Sequence, residues 1–208
     1  MSDSSGTILV HMVHFPVLTL GPGRRVGVWL RGCSIHCEGC ISEELWSFDP
    51  AFARGVDDVA CEVRGFFGGD VPPAGVTVSG GEPFDQWEAT RALLERFASF
   101  GIRDVLVYTG YDISAPEGRR EEIAPLAAAV VDSPFKLGED TEAVWKGSEN
   151  QTLSVFRPEF KDMYGEWARS AKGALQVAVL GNRVVSIGIP RQSDAGAIMA
   201  LAEMNAAR

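Results

Sequence analysis

Residues 26–40 read VGVWLRGCSIHCEGC, an apolar run followed at once by three cysteines within eight positions. The run Val26–Leu30 predicts a buried β-strand. The segment Gly32–Cys40 has no sustained periodicity, so we expect a loop that begins where the strand ends. This stretch therefore predicts a strand that presents three thiols at one of its ends.

The spacing of these thiols, Cys33-x3-Cys37-x2-Cys40, is typical of a metal site rather than of a disulfide framework in an intracellular protein. A structural zinc site closes four ligands around the metal, and His36 is a candidate fourth ligand. A cubane iron–sulfur cluster can instead use three cysteines and leave one iron open to a small molecule. The spacing alone leaves both possibilities open. The remaining cysteine, Cys61, lies in an amphipathic stretch and is predicted to be a small buried residue.

Strands and helices alternate along the chain on both sides of this stretch. Such alternation favours an α/β architecture with a parallel sheet, in which loops gather at the carboxyl ends of the strands. Farther along, Gly181-Asn182 between two apolar runs predicts a hairpin. The expected strands are Ile8–Val13, Val26–Leu30, Gly75–Val78, Asp104–Tyr108, Leu175–Leu180 and Val184–Ile189, and the expected helices are Val56–Phe67, Gln86–Phe100, Glu121–Val131 and Asp194–Met204.

Composition places the chain among ordinary globular proteins, with 46% hydrophobic and 23% charged residues. The net charge of −9 disfavours non-specific binding to nucleic acid or to anionic membranes. No apolar run reaches the roughly 18 to 20 residues that span a bilayer. The first residues lack the basic cluster and long apolar core of a secretory signal. We therefore expect a cytoplasmic protein with neither nucleic acid nor membrane as a partner.

Several further motifs accompany the cysteines in a fixed order along the chain. They are Gly21-Pro22-Gly23, Trp46, Ser79-Gly80-Gly81-Glu82-Pro83, Tyr108-Thr109-Gly110-Tyr111, Val131-Asp132 with Phe135-Lys136, and Trp145-Lys146-Gly147-Ser148 with Asn150-Gln151. Together they resemble the radical S-adenosylmethionine (SAM) enzymes, and within them the family of anaerobic ribonucleoside-triphosphate reductase activating proteins. These proteins are glycyl-radical-enzyme activating enzymes. The resemblance covers roughly residues 14 to 157 and is specific only as a combination, since each motif alone is weak.

The resemblance implies a cofactor and a reaction. Cys33, Cys37 and Cys40 would bind one [4Fe–4S] cluster with an open iron, and SAM would be the second cofactor. Reductive cleavage of SAM would give a 5′-deoxyadenosyl radical that removes hydrogen from a glycine of a partner glycyl-radical enzyme. The electron would come from a donor such as flavodoxin or ferredoxin. No catalytic residue beyond the three cluster ligands is assigned.

The resemblance also implies the fold and the SAM contacts. The fold would be a partial, open parallel β/α barrel of the radical SAM type. Residues 1–157 would form this core, and residues 158–208 a C-terminal hairpin-plus-helix extension packed on it rather than an independent domain. The implied SAM-binding residues are Gly39, Cys40, Ile41, Ser79, Gly80, Gly81, Glu82, Thr109 and Gly110.

Two departures from the family leave the substrate open. The family's usual chain ends near the Asn150-Gln151 segment, whereas this one continues through residues 158–208. Glu82 stands where the reductase activators often carry Asp. A protein substrate would require the extension to leave the site mouth wide, while a peptide or small-molecule substrate would require it to close over the site. A zinc-binding module and a simple electron-transfer protein are the non-enzyme alternatives.

A few residues have two competing interpretations at this stage. Asn150 and Gln151 are expected either at the rim of the active site or in a solvated loop. Arg24 and Arg25 are expected either in solvent or against a partner. Trp145 is expected to serve packing rather than recognition.

Overall fold

The computed structural model of the chain describes residues 6–115, 118–173, 175–180, 183–191 and 194. Its main feature is a seven-stranded mixed sheet. The strands are β1 (Thr7–Val17), β2 (Arg25–Leu30), β3 (Ala53–Gly55), β4 (Gly75–Gly80), β5 (Val105–Tyr108), β6 (Ala129–Asp132) and β7 (Thr152–Val155). Their order in the sheet is β3-β1-β2-β4-β5-β6-β7. Strands β2, β4, β5 and β6 are parallel, and β1, β3 and β7 are antiparallel to their neighbours.

Four α-helices, four short 3-10 helices and a separate hairpin complete the described structure. The helices are α1 (Val56–Phe66), α2 (Trp87–Ser99), α3 (Arg120–Ile123) and α4 (Lys161–Ala168), and the hairpin joins β8 (Gln176–Leu180) to β9 (Arg183–Ile187). Among the described residues, no helix has the length and apolar character that crossing a bilayer requires.

Each face of the sheet is covered by a different layer. On one face, α1 and α2 pack against alternate strand residues such as Val28, Val76 and Val107. On the other face, α4 and Trp145 cover Leu106 and its neighbours, which confirms the packing role expected of Trp145. The α/β class and the parallel centre of the sheet are confirmed. The described strands close no barrel, so the partial-barrel geometry stays a prediction.

Two expectations about single elements are wrong. The helix expected over Glu121–Val131 ends at Ile123, and Ala129–Asp132 forms strand β6. This strand lies between β5 and β7 with all four residues buried. Its first three residues are all apolar, so it lacks the alternation of apolar and polar residues that marks a half-exposed strand. Cys61 is exposed rather than buried, because the buried side of α1 is formed by Val59, Ala60 and Val63.

The register aligns the ends of the parallel strands at two opposite edges of the sheet. Leu30 of β2 lies opposite Gly80 of β4, and Tyr108 of β5 lies opposite Val131 of β6. The loops that follow these strands therefore start from one edge, which we call the carboxyl edge. The opposite edge, where these strands begin, is the amino edge.

The amino edge is held by a buried ion pair. The guanidinium of Arg25 is fully buried, and its Nη1 donates to Asp104 Oδ2 at 2.7 Å. Its Nε donates to Thr77 Oγ1 at 2.7 Å, and Tyr164 of α4 donates to Asp104 Oδ1 at 2.6 Å. The solvated or partner-binding position expected for Arg25 is therefore wrong. This residue instead ties the first sheet strands to a helix of the C-terminal segment.

The hairpin β8–β9 packs at the same edge. The antiparallel pairing of Leu180 with Arg183 confirms the expected hairpin, while its turn residues 181–182 and the helix expected over 194–204 lie outside the described residues, Asp194 excepted. The Gln176 side chain accepts from Leu18 N at 2.9 Å and donates to Pro16 O at 2.7 Å. A cavity of about 370 Å³ lies between the Gly21-Pro22-Gly23 turn and this segment.

Candidate metal and cofactor site

The cysteine loop begins where β2 ends, as expected from the sequence. Its base is closed by backbone hydrogen bonds from Gly32 N to Leu45 O at 2.7 Å and from Cys33 N to Trp46 O at 3.0 Å. His36 has a left-handed backbone with a φ of 52° and stacks on the Trp46 ring at 4.6 Å. The His36 side chain is exposed, and its stacking on Trp46 helps to shape the loop.

Three free thiols lie in this loop, each of them partly buried. Burial raises the pKa of Cys33 and Cys37, and the negative charge of Glu82 raises both further. Hydrogen bonds from backbone amides oppose that rise in pKa. Amides of the cysteine loop donate to the Cys33 sulfur, and the Phe135 amide donates to the Cys37 sulfur. The two thiols therefore favour the protonated form, and metal binding must displace their protons.

The glycines after β4 bring a second loop against the cysteine loop. A Cβ atom on Gly80 would lie 2.6 Å from Leu30 O, and one on Gly81 would lie 2.4 Å from Gly32 O. Gly81 N donates to Leu30 O at 2.9 Å, and Glu82 N donates to Gly32 O at 2.7 Å. The family resemblance implies that these glycines bind SAM; in the structure they also allow the neighbouring backbone to approach closely. Ser79 lies just before them, opposite Trp29 in β2.

Glu82 joins this second loop to a third one, which follows β5. Its side chain is only 3% exposed, and Oε1 accepts from Phe84 N at 2.8 Å and from Thr109 Oγ1 at 2.7 Å. Its Oε2 accepts from Gly110 N at 2.7 Å. Burial raises the pKa of Glu82 to about 7, although these hydrogen bonds favour the charged form. The carboxylate is thus held by protein donors and braces two of the expected cofactor loops.

The remaining expected residues lie around the same loop. A Cβ atom on Gly110 would lie 2.6 Å from Ile35 Cδ1, so the third loop touches the cysteine loop directly. Gly39 has a φ of 72°, and a Cβ there would lie 3.0 Å from Leu137 Cδ1. Ile41 is 44% exposed at the rim. The loops that follow β4, β5 and β6 thus surround the loop that follows β2.

Asn150 and Gln151 stabilise the loop that follows β6. Asn150 Nδ2 donates to Pro134 O at 2.9 Å, and Gln151 Nε2 donates to Ser133 O at 3.0 Å. Ser133 has a φ of 83°, a strained conformation for a residue other than glycine. The two amides therefore act on the backbone next to Phe135, and are neither free in solvent nor isolated from the site.

One group at this site was missed by sequence reasoning. Asp85 lies two residues after Pro83, the last residue of the Gly80–Pro83 motif. It accepts hydrogen bonds from Ser34 of the cysteine loop and from Tyr111 of the third loop. No spacing rule distinguishes this aspartate from a solvated helix-start residue. Only the meeting of three loops makes it part of the site.

The donor set fits an iron–sulfur cluster. Among the described residues, no three His, Cys, Asp or Glu side chains are gathered as a mononuclear metal ion requires. A cubane cluster takes one thiolate for each ligated iron, so its three sulfurs need not converge on one point. Three free thiols in one loop, two of them next to backbone N–H donors, match that requirement.

Comparison with known proteins agrees with this donor chemistry. The family model described as a 4Fe-4S single cluster domain matches residues 19–154. The anaerobic ribonucleoside-triphosphate reductase-activating protein of Salmonella typhimurium is 26% identical over 151 residues, which are 69% of this chain and 97% of that protein. Its namesake in Escherichia coli K12 is 25% identical over the same shares, and that of phage T4 is 26% identical over 64% of this chain and 85% of its own. The family match extends over the cysteine loop and the three loops around it, and the chain therefore belongs to the 4Fe-4S single cluster domain family.

Proposed function

We propose that this protein is a radical SAM activating enzyme that installs a glycyl radical on a partner such as an anaerobic ribonucleotide reductase. The observation that carries the proposal is the ring of loops at the carboxyl edge, where three free thiols lie beside Gly80–Glu82 and Thr109-Gly110. The relatives named as reductase-activating proteins support the choice of partner.

In this proposal, Cys33, Cys37 and Cys40 hold the cluster, with one iron left open. A [4Fe–4S] cluster held there, once reduced by an external electron donor, would supply the electron for cleaving SAM to methionine and a 5′-deoxyadenosyl radical, and that radical would take a hydrogen atom from the substrate. The chain's own contribution is to bind, orient and shield. The residues proposed to line the SAM site are Gly39, Cys40, Ile41, Ser79, Gly80, Gly81, Glu82, Thr109 and Gly110.

Glu82 has a definite part in this arrangement. Because its carboxylate is held by Thr109 and Gly110, it fixes the distance between the second and third loops. We propose that the backbone of these loops, rather than the Glu82 carboxylate alone, forms the surface for the methionine part of SAM.

The position of the C-terminal segment supports a protein substrate. Its hydrogen bonds through Tyr164 and Gln176 are made at the amino edge, to Asp104, Pro16 and Leu18. The cysteine loop lies at the opposite edge. The described part of the extension thus leaves the carboxyl edge accessible to a loop of a large partner.

The cofactor is tested by anaerobic reconstitution followed by iron and sulfide analysis. We expect about four iron and four sulfide per chain, and 5′-deoxyadenosine after reduction with SAM present. Cys37→Ala should abolish both, because the cluster loses a ligand, whereas Cys61→Ala, on the exposed side of α1, should keep both. A tightly bound zinc without sulfide would contradict the proposal, as would a cluster whose spectrum ignores SAM.

The substrate is tested separately, by incubating the reduced protein and SAM with the glycyl-radical enzyme of the same genome. An electron paramagnetic resonance doublet on the partner is the expected result. Cleavage of SAM without that doublet would favour a peptide or small-molecule substrate. Reduced flavodoxin and ferredoxin are the donors to compare, and their use would fit the cytoplasmic setting expected from the sequence.

A further inference from the structure

Asp85 connects three loops of the site through one carboxylate. Its Oδ2 accepts from Ser34 N at 2.6 Å, and its Oδ1 accepts from Ser34 Oγ at 2.9 Å. The same Oδ1 accepts from Tyr111 Oη at 2.8 Å. Ser34 directly follows Cys33, so these bonds act on the backbone next to the first thiol.

The neighbours of Asp85 hold it in this orientation. Tyr111 stacks on Phe84 with ring centroids 6.2 Å apart and an interplanar angle of 12°. This stacking fixes the position of the Tyr111 hydroxyl, which donates a hydrogen bond to Asp85. The adjacent Glu82 is bonded to Phe84 N, Thr109 and Gly110. The orientation of the Asp85 carboxylate is therefore set by residues outside the cysteine loop.

The donors in these contacts are all neutral, namely one amide and two hydroxyls, so none of them cancels the negative charge of Asp85. Hydrogen bonds to an ionised acceptor are stronger than neutral ones, so they order the loop. A fixed negative charge close to a redox group also disfavours adding an electron to it. Asp85 can thus set both the shape of the cysteine loop and the reduction potential of a redox group bound to that loop.

We propose that Asp85 is a positioning residue that orders the Cys33 end of the cysteine loop and lowers the reduction potential of the bound cluster. The second half of this statement rests on the proposed function, since it needs the [4Fe–4S] cluster. The first half concerns the protein without cofactor. Each half therefore has its own measurement.

Two substitutions separate shape from charge. Asp85→Asn is isosteric and keeps an oxygen acceptor for Ser34 N. The hydroxyls of Ser34 and Tyr111 can accept from its amide group, so the hydrogen bonds should persist without their charge assistance and the loop should keep most of its order. Asp85→Ala removes both the charge and the hydrogen bonds. Glu43→Gln is the matched control, because Glu43 is an exposed carboxylate in the segment just after the cysteine loop.

Loop order is measured by amide hydrogen exchange of the apo-protein, in the peptide that covers residues 32–40. We expect Asp85→Ala to accelerate exchange by roughly tenfold, since charge-assisted hydrogen bonds are lost. Glu43→Gln should exchange as the native protein does, and Asp85→Asn should fall between the native protein and Asp85→Ala, because it keeps the hydrogen bonds but loses their charge assistance. Equal exchange in Asp85→Ala and the native protein would overturn the ordering role.

The potential is measured by redox titration of the reconstituted proteins, followed by electron paramagnetic resonance. We expect Asp85→Asn to keep full iron content and to raise the ratio of reduced to oxidised cluster at a given potential by roughly tenfold. Glu43→Gln should leave that ratio unchanged, because solvent screens its charge. An unchanged ratio in Asp85→Asn would overturn the electrostatic role. If the native protein binds no cluster, the proposed function fails, while the exchange experiment still decides the ordering role.

Discussion

Single residues at the carboxyl edge act mainly by holding loops together. Glu82 is the clearest case, because its two carboxylate oxygens receive three donors, Phe84 N, Thr109 Oγ1 and Gly110 N. A carboxylate has no hydrogens to place, so it can accept from all three at once. That property distinguishes Glu82 from its amide analogue.

We therefore expect Glu82→Gln to destabilise the protein by about 2 kcal/mol. The amide nitrogen would face a backbone N–H or the Thr109 hydroxyl, and one buried donor would lose its acceptor. Urea unfolding of the apo-protein measures the effect. Glu121→Gln, which removes an exposed carboxylate of α3, is the control and should be neutral. Equal unfolding midpoints for the two variants would show that Glu82 does not brace the loops.

The residue types at the site were predictable, and their partners were not. The three cysteines and the glycines are recognised by their spacing in the sequence, because close backbone approach needs glycine. Arg25 and Asp85 are charged residues next to turns, where solvent exposure is the ordinary outcome. Arg25 is buried because it pairs with Asp104, 79 positions away in the chain. Asp85 connects two loops because it accepts from Ser34, 51 positions away. Such pairings become visible only once the sheet order is known.

At the scale of elements, α4 is attached to the sheet through the hydrogen bonds of Tyr164 and through an apolar layer. Tyr164 Oη donates to Asp104 Oδ1 at 2.6 Å and lies 3.3 Å from Arg25 Nη2. Burial raises the pKa of Tyr164 far above its ordinary value, so the phenol stays a neutral donor. Its ring belongs to the apolar cluster that also contains Leu106 and Val131 of the sheet.

The expected result of Tyr164→Phe is a loss of about 2 kcal/mol of unfolding free energy. The substitution keeps the apolar ring and removes the hydrogen bond to the buried Asp104 carboxylate. Chemical denaturation followed by tryptophan fluorescence is the measurement, since Trp167 of α4 lies next to Tyr164. Lys161→Ala, at the exposed start of α4, should leave the midpoint where it is. A midpoint for Tyr164→Phe within error of that control would contradict the role given to this bond.

Helices and strands were predictable from the sequence where one side of the element is buried and the other is exposed to solvent. The amphipathic helices α1 and α2 have the expected positions to within a residue or two, because their periodic apolar stripes define them. Strand β6 was mistaken for helix because both of its faces are buried. The edge strand β7 and helix α4 were not predicted, and each owes its place to packing against the rest of the sheet.

At the scale of the whole molecule, the two edges of the sheet have separate tasks. The carboxyl edge gathers the thiols and the three surrounding loops, while the amino edge anchors α4 and the hairpin. We propose that residues 1–157 form the core, and that residues 158–208 are an extension of that core rather than a second domain. The buried contact between Tyr164 and the Arg25–Asp104 pair supports this division.

The carboxyl edge also exposes apolar side chains beside the cysteine loop. Phe48 is 48% exposed and Leu137 is 55% exposed, and they lie against Gly32 and Gly39 of that loop. Exposed apolar groups that rim a site are typical of surfaces that bind another protein. If the substrate is a large partner, these side chains should contact it without touching the cofactors.

The double variant Phe48→Ser/Leu137→Ser should therefore retain its cluster and its cleavage of SAM in the absence of partner. Glycyl-radical formation on the partner should fall by roughly tenfold at limiting protein concentration, because apolar anchors of an interface are lost. Quantitative electron paramagnetic resonance of the partner radical measures this fall. Val71→Ser is the matched control, since Val71 is 57% exposed but lies in the turn before β4, at the amino edge. Undiminished radical yield in the double variant would place the partner elsewhere, and an equal loss in Val71→Ser would show a general effect of removing surface apolar groups.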